Sequence, residues 1–266
     1  MSYEIKEIEE NIYERYIDCE IHGKQIQRGY RFTSDSDIMW HGCGLCYGEE
    51  KERKKEEEQK ELKNKRLKEL NALKLKLKKQ SEVPVRYQES VINSFVSENN
   101  QQEEKKQFCK KYIENFIEGL SVGRSMIFCG TTGTGKTLLA CAIANEIIEK
   151  HQRSVLFTTT IKAIRKIKST YSSSSEKTEQ EIINEFLSYD LLILDELGVQ
   201  FGSDSEKVIL FEIINERYQE KKPTIMISNL AYESLRNYVD DRVLDRMKEG
   251  GGGVLIFDWK SKRGKV

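Results

Sequence analysis

The run Gly130-Thr131-Thr132-Gly133-Thr134-Gly135-Lys136-Thr137 constrains this chain more than anything else in it. It fits G-x-x-x-x-G-K-[ST], follows the apolar stretch Met126 to Cys129, and leads into Leu138, Leu139 and Ile143 at helical spacing. A strand, a glycine-rich turn and a helix in that order turn backbone N–H groups inward at a helix N-terminus, where phosphate oxygens are held. In such a loop Gly130, Thr131, Thr132, Gly133, Thr134 and Gly135 form the cradle. Lys136 reaches the β- and γ-phosphates, and Thr137 ligates Mg²⁺. ATP with Mg²⁺ is therefore the expected ligand.

From Met126 onward short apolar runs alternate with amphipathic stretches, which predicts an α/β fold with a five-stranded parallel sheet and flanking helices. Strands are expected at Met126–Cys129, Val155–Thr158, Leu191–Leu194, Thr224–Ile227 and Val254–Phe257. Helices are expected at Lys136–Lys150, Ile161–Ser169, Glu179–Leu187, Glu206–Gln219 and Asp240–Lys248. The run Leu191-Leu192-Ile193-Leu194-Asp195-Glu196 is a buried strand ending in two carboxylates. Alone it reads as an acidic turn. Beside a phosphate loop, Asp195 holds Mg²⁺ through water and Glu196 polarises the attacking water. Asn229 follows another apolar strand, at the carboxyl end where open α/β sheets place ligand contacts. It orients water against the γ-phosphate, or simply forms the turn. Arg242 and Arg246 stand four residues apart on one helical face. Pairing with the neighbouring aspartates accounts for at least one of them; reaching into a neighbouring subunit's nucleotide site is the sharper reading for Arg246.

The N-terminal part has a different chemistry. Cys19-x-x-His22 and Cys43-x-x-Cys46 are two pairs of zinc-knuckle spacing, separated by 20 residues. Three thiolates and one imidazole close a tetrahedral Zn²⁺ site of structural kind, with His41 as a rival ligand and coincidence as the bland alternative. Cys109, Cys129 and Cys141 fall on helical or strand positions and read as small core residues. From Glu49 to Lys79 the composition turns to Glu, Lys, Arg, Leu and Gln, without Gly or Pro, which predicts one long charged helix. Leu62, Leu67, Leu70, Leu73 and Leu77 lie along an irregular stripe, so a solvated linker is preferred to a coiled coil. The pattern ends at Val83-Pro84. Three parts result: a zinc-binding module over 1–48, a charged helical linker over 49–82, and an ATPase domain over 83–266.

Lys plus Arg number 44 and Asp plus Glu 44, so no general field draws nucleic acid and any such contact rests on local patches. The start Met-Ser-Tyr-Glu-Ile-Lys-Glu lacks a basic stretch followed by an apolar run, and stretches such as Leu191 to Leu194 are too short to span a bilayer. A cytoplasmic chain without a membrane partner is expected.

From Val83-Pro84-Val85-Arg86-Tyr87 to the C-terminus the chain resembles the DnaC-type helicase loaders and their phage relatives. The resemblance is carried by Asp195-Glu196-Leu197-Gly198-Val199-Gln200, Glu206-Lys207, Arg242-Val243-Leu244-Asp245-Arg246-Met247 and Phe257-Asp258-Trp259-Lys260-Ser261-Lys262-Arg263. It implies an AAA+ P-loop core with Walker A and B sites, sensor 1 at Asn229, an arginine finger at Arg246 and sensor 2 at Arg263. It further implies a weak ATPase that self-assembles with ATP and places a hexameric replicative ring helicase on single-stranded DNA. With three residues after Arg263, no helical lid domain is expected. Zinc modules ahead of such cores resemble those of some Gram-positive and phage loaders, where this region contacts the helicase. DNA contact is implied for the segment containing Lys162, Arg165, Lys166, Lys168 and Tyr171, although a solvated helix face explains the lysines almost as well. The acidic character of Phe201 to Ser205 argues against DNA contact there. Two rivals stand beside this reading: a transposition-helper ATPase of the IstB type, and a nucleotide-gated adaptor with little turnover.

Overall fold

The computed structural model describes residues 4–172, 174–198, 204–235 and 238–261 and divides into two compact units, Met1–Leu70 and Asn71–Val266.

In the first unit, β1 (Lys6–Glu9), β2 (Ile12–Cys19), β3 (Gly23–Tyr30) and β4 (Met39–Trp40) form an antiparallel sheet in that order. None of these strands was expected, because polar residues alternate with isolated aromatics and no apolar run marks them. β2 and β3 pair from Ile12 opposite Tyr30 to Cys19 opposite Gly23. Successive side chains therefore fall on opposite faces. On one face the Arg15 guanidinium lies 4.2 Å over the Trp40 ring, and a Cβ on Gly29 would come within 2.6 Å of Ile38. On the other, Tyr16 and Ile26 stand opposite each other and exposed. This unit has few buried side chains, Tyr13, Gln27 and Cys43 among them.

Helix α1 (Gly44–Gln80) follows. It begins ahead of the expected Glu49, so Cys46 sits in its first turn. Its early part is laced by Lys54–Glu50 and Arg53–Glu57 pairs at helical spacing, 2.7 and 3.8 Å apart. Leu62, Leu67 and Leu73 are exposed, whereas Leu77 is buried in the second unit's core.

The second unit adds α2 (Asn100–Glu114) and α3 (Phe116–Ser121), neither expected from sequence, then β5 (Met126–Gly130), α4 (Lys136–His151), β6 (Val155–Thr159), α5 (Thr160–Lys168), α6 (Glu179–Ser188), β7 (Leu191–Leu197), α7 (Asp204–Gln219), β8 (Thr224–Ser228), α8 (Tyr232–Leu235), α9 (Asp241–Lys248) and β9 (Gly253–Phe257). All five predicted strands and all five predicted helices are present, nine of them within two residues of their expected bounds; β7 runs three residues past its expected end at Leu194, through Asp195 and Glu196 to Leu197. The sheet order is β6-β7-β8-β5-β9, with every pairing parallel. The chain leaves β5 for the far edge of the sheet and returns to β9 on its other side. The carboxyl end of β5 is thus the crevice where doubly wound sheets bind ligands.

Both sheet faces are covered, as parallel strands require. Met126, Phe128, Ile193 and Ile227 pack toward α2 and α4, while Ile127, Leu192, Leu194 and Met226 pack toward α5, α6, α7 and α9. Arg217 on α7 is wholly buried, and donates to the carbonyls of Phe186, Tyr189 and Pro223 and to Thr224 Oγ1. Burial lowers its pKa to about 9. Its guanidinium fixes the entries to β7 and β8. Among the described residues no helix is long and apolar enough to cross a membrane.

Candidate nucleotide site and cysteine cluster

The loop after β5 is shaped by backbone that only glycine adopts cheaply. Gly130, Gly133 and Gly135 have φ of 122°, 80° and 99°. A Cβ on Gly130 would lie 2.2 Å from the Phe257 carbonyl oxygen, and one on Gly135 2.6 Å from the Phe95 ring. The loop is tied to the end of β9: Thr131 donates its N–H to Phe257 O (2.9 Å) and its hydroxyl to Trp259 O (3.0 Å). Trp259 Nε1 in turn donates to Thr134 O at 3.1 Å. Gly130 N–H reaches Leu230 O at 2.9 Å, which joins the loop to the turn holding Asn229.

Lys136 is buried, and its Nζ donates to Gly130 O (2.8 Å) and Thr131 O (2.6 Å). Thr137 Oγ1 donates to Asp195 Oδ2 at 2.9 Å, so the Mg²⁺-ligand candidates from α4 and β7 meet at one point. Burial raises the Asp195 carboxyl above its ordinary pKa, against the N–H of Glu196 and the Thr137 hydroxyl, which lower it. A divalent cation is the natural counter-charge for a carboxylate so placed. Glu196 is exposed and has φ of 61°, in the left-handed region, where the pairing of β7 with β8 shifts register between Leu194 and Leu197. That conformation is costly for a side chain other than glycine, and such strain collects at functional sites. It turns Glu196 away from the strand. A cleft of about 600 Å³ collects Thr132, Gly133, Gly135, Lys136, Thr137, Asp195, Glu196 and Asn229, with Arg86, Tyr87 and Phe95 on its opposite wall. Its size and its donors suit a nucleoside triphosphate.

That wall was not visible in the sequence. It is held from α4: Asn145 Nδ2 donates to Tyr87 O and Ser90 O, both at 2.8 Å, and Glu146 accepts from Ile92 N–H at 2.7 Å. Phe95, Trp259 and Phe257 form a chain of ring contacts beneath the loop, at 6.3 and 5.1 Å. Only a polar Asn and Glu inside an otherwise apolar helix hinted at an outward partner.

Arg246 does not line the cleft. Arg263 lies outside the described residues, as do Val199 to Ser203. In the basic segment Lys166 pairs with Glu185 (2.6 Å), Lys168 with Glu206 (2.7 Å), and Tyr171 donates to Glu179 (3.1 Å). Lys162 and Arg165 are exposed on α5, with no ion pair to the described residues.

In the first unit Cys19, His22, Cys43 and Cys46 place their ligand atoms within 4.8 Å of one another. Sγ of Cys19 lies 3.5 Å from Sγ of Cys46, and His22 Nδ1 lies 3.3 to 3.8 Å from the three sulfurs. A tetrahedron with bonds of 2.0–2.3 Å has edges of about 3.3–3.8 Å, which these four separations match, and the donor set of three sulfurs and one imidazole nitrogen is one that Zn²⁺ takes. His22 Nε2 meets Glu49 at 3.0 Å, the carboxylate partner that orients metal-bound histidines. His41 instead packs edge-on against Tyr30. Hydrogen bonds from the His22 and Ile21 backbone lower the Cys19 thiol to about 6, whereas the sulfurs of Cys19 and Cys43 help push Cys46 up to about 12. Three adjacent thiols ionise together only around a cation. As expected, Cys109, Cys129 and Cys141 are buried in the other unit, and burial raises each thiol.

The fold and cleft define a P-loop nucleotide-binding protein of the AAA+ class. Residues 57–248 match the family described as IstB-like ATP binding protein, and the chain belongs to that family. It is 37% identical over 177 residues to the replicative helicase loader DnaC of Buchnera aphidicola subsp. Schizaphis graminum, covering 66% of this chain and 70% of that protein. Against the replicative helicase loader DnaC of Escherichia coli K12 it is 38% identical over 157 residues, covering 59% and 62%. The crystal structure of the DnaC helicase loader superposes with a TM-score of 0.59 at 23% identity, over 66% of this chain and all of that one, which shows the shared fold.

Proposed function

We propose that this chain is a replicative helicase loader: an ATPase, with a Zn²⁺-held module over 1–48 and a linker over 49–82, that delivers a ring helicase to single-stranded DNA. The 37% identity to a protein named as such a loader is the observation that carries this reading. Bound ATP supplies the phosphoanhydride to be cleaved, and Mg²⁺ held by Thr137 and Asp195 supplies charge neutralisation. The chain's own groups do the rest. Loop N–H groups and Lys136 fix the phosphate tail, Glu196 accepts a proton from water, Asn229 orients that water, and Arg246 of a neighbouring subunit meets the charge that develops. Single-stranded DNA is assigned to Lys162 and Arg165, the members of the basic segment that form no ion pair with the described residues.

The test is delivery itself. A hexameric replicative helicase, circular single-stranded DNA, ATP and this chain are mixed, and helicase retained on DNA is counted. Retention that needs both the chain and ATP is expected. No complex with any replicative helicase, together with an ATP-dependent complex with a transposase, would move the chain to the transposition-helper reading that its family description also fits.

A narrower prediction concerns Glu196→Gln. It removes the base and leaves the phosphate contacts, so ATP affinity stays within about twofold while turnover falls by about 10²–10⁴. An equal loss of binding, measured by nucleotide titration, would assign Glu196 a structural task.

A further inference from the structure

Both arginines that share one face of α9 lie against Phe211, Arg242 with its Cζ 5.1 Å from that ring's centroid, but the groups around them otherwise differ. Arg242 is neutralised: its Nε and Nη2 donate to Asp240 at 3.0 and 2.8 Å. Arg246 has no ion pair and no hydrogen bond with the described residues, and its Nη1 is buried without an acceptor. What surrounds Arg246 is aromatic. Its Cζ lies 5.3 Å from the Phe211 ring centroid and 5.2 Å from that of Tyr218. Phe211 and Tyr218 are seven residues apart on α7 and therefore share its face toward α9. The Tyr218 hydroxyl donates to the Glu249 carboxylate, which fixes that ring just beyond α9. Arg246, Tyr218 and Glu249 border a cleft that also includes Gly123 and Lys221 and shares no residue with the nucleotide cleft.

A ring face attracts a guanidinium without cancelling its charge, and leaves the N–H edges of the plane available to an anion. A carboxylate, as at Arg242, would consume both. We propose that Phe211 and Tyr218 are positioning residues that hold the Arg246 guanidinium, still charged, for the nucleotide of a second copy of this chain. The inference rests on Arg246 acting in trans and adds what orients it.

The experiment uses the full chain at concentrations where it assembles with ATP. Phe211→Leu and Tyr218→Leu each lower kcat about tenfold, the scale of a lost cation–π contact, with KM for ATP within about twofold. Tyr218→Phe, which keeps the ring and loses only the Glu249 tie, recovers most of that rate. Mixing Tyr218→Leu with Lys136→Ala restores activity to the level of an Arg246→Ala plus Lys136→Ala mixture, because the defect lies in what is presented and not in the variant's own pocket. Phe211→Met, of similar volume without the ring face, replaces Phe211→Leu if a melting curve shows loss of fold. Parent-like kcat in both ring variants beside an inactive Arg246→Ala overturns the aromatic holder alone. A parent rate in Arg246→Ala overturns the trans reading and the holder with it. A raised KM without a kcat change, or no recovery in the Tyr218→Leu mixture when the Arg246→Ala mixture recovers, assigns the rings to their own subunit's fold and overturns the holder as well.

Discussion

Lys136→Ala is expected to abolish ATP binding and turnover in a chain that still folds. The ammonium sits at the first turn of α4, 4% exposed, with its hydrogen bonds directed to the carbonyls of Gly130 and Thr131. Removing it leaves those carbonyls to backbone and water, which the exposed loop tip at Thr132 can admit. The fold core, built on the two faces of the sheet, is untouched. The loss to a triphosphate is larger. Each hydrogen bond to a charged group is worth about 1.5–3 kcal/mol, and an ammonium between β- and γ-phosphates makes more than one, so affinity falls by about a hundredfold or more. Trp259 provides the measurement, since its Nε1 is bonded to the loop at Thr134 O and a change in its fluorescence is the expected signal of nucleotide binding. An ATP titration giving the parent affinity, with a parent melting curve, would remove the nucleotide assignment.

The second unit was legible in sequence because its strands are continuous apolar runs ending at the chemistry: Met126 to Cys129 leads into the phosphate loop and Leu191 to Leu194 into Asp195 and Glu196. Both faces of such strands are buried, and burial writes itself into composition. The wall of the cleft was not legible, because Tyr87 and Phe95 lie in 3₁₀ turns and connections where no periodicity operates. Their place is set by Asn145 and Glu146, 50 to 60 positions away. The first unit's strands were hidden for a different reason. A small antiparallel sheet with one exposed face carries too few apolar residues to show an alternating pattern, and ligand spacing was the one strong signal there. That signal named four residues whose ligand atoms the structure brings together, but not the start of α1, which at Gly44 places Cys46 on the helix.

Cys43→Ser or Cys46→Ser is expected to release about one Zn²⁺ per chain and unfold the sheet of the first unit while leaving the ATPase unit intact. The reason is the balance between core and cross-link. With Tyr13, Gln27 and Cys43 among its few buried side chains, a unit of this size has little apolar burial to set against the entropy of ordering. A structural zinc site contributes about 10–16 kcal/mol of apparent binding free energy at neutral pH, which exceeds any stabilisation such a sheet supplies alone. The four ligands also fasten distant parts of the unit: Cys19 ends β2 and His22 lies in the turn that follows, while Cys43 immediately precedes α1 and Cys46 lies in its first turn. With one ligand gone, Glu49 still holds His22, but the remaining sulfurs revert to thiols and the turn loses its tie to the helix. The ATPase unit has its own core on both sheet faces, built, among the described residues, from Leu77 onward. Metal analysis of protein purified under reducing conditions gives the zinc count. Hydrogen exchange then separates the units: amides of β2 and β3 lose protection in either variant, while those of β5 and β7 and the rate of ATP turnover stay within about twofold. A parent chain without zinc, or a Cys46→Ser chain whose β2 and β3 amides stay as protected as before, would make the cysteine cluster an ordinary set of thiols and the sheet self-sufficient.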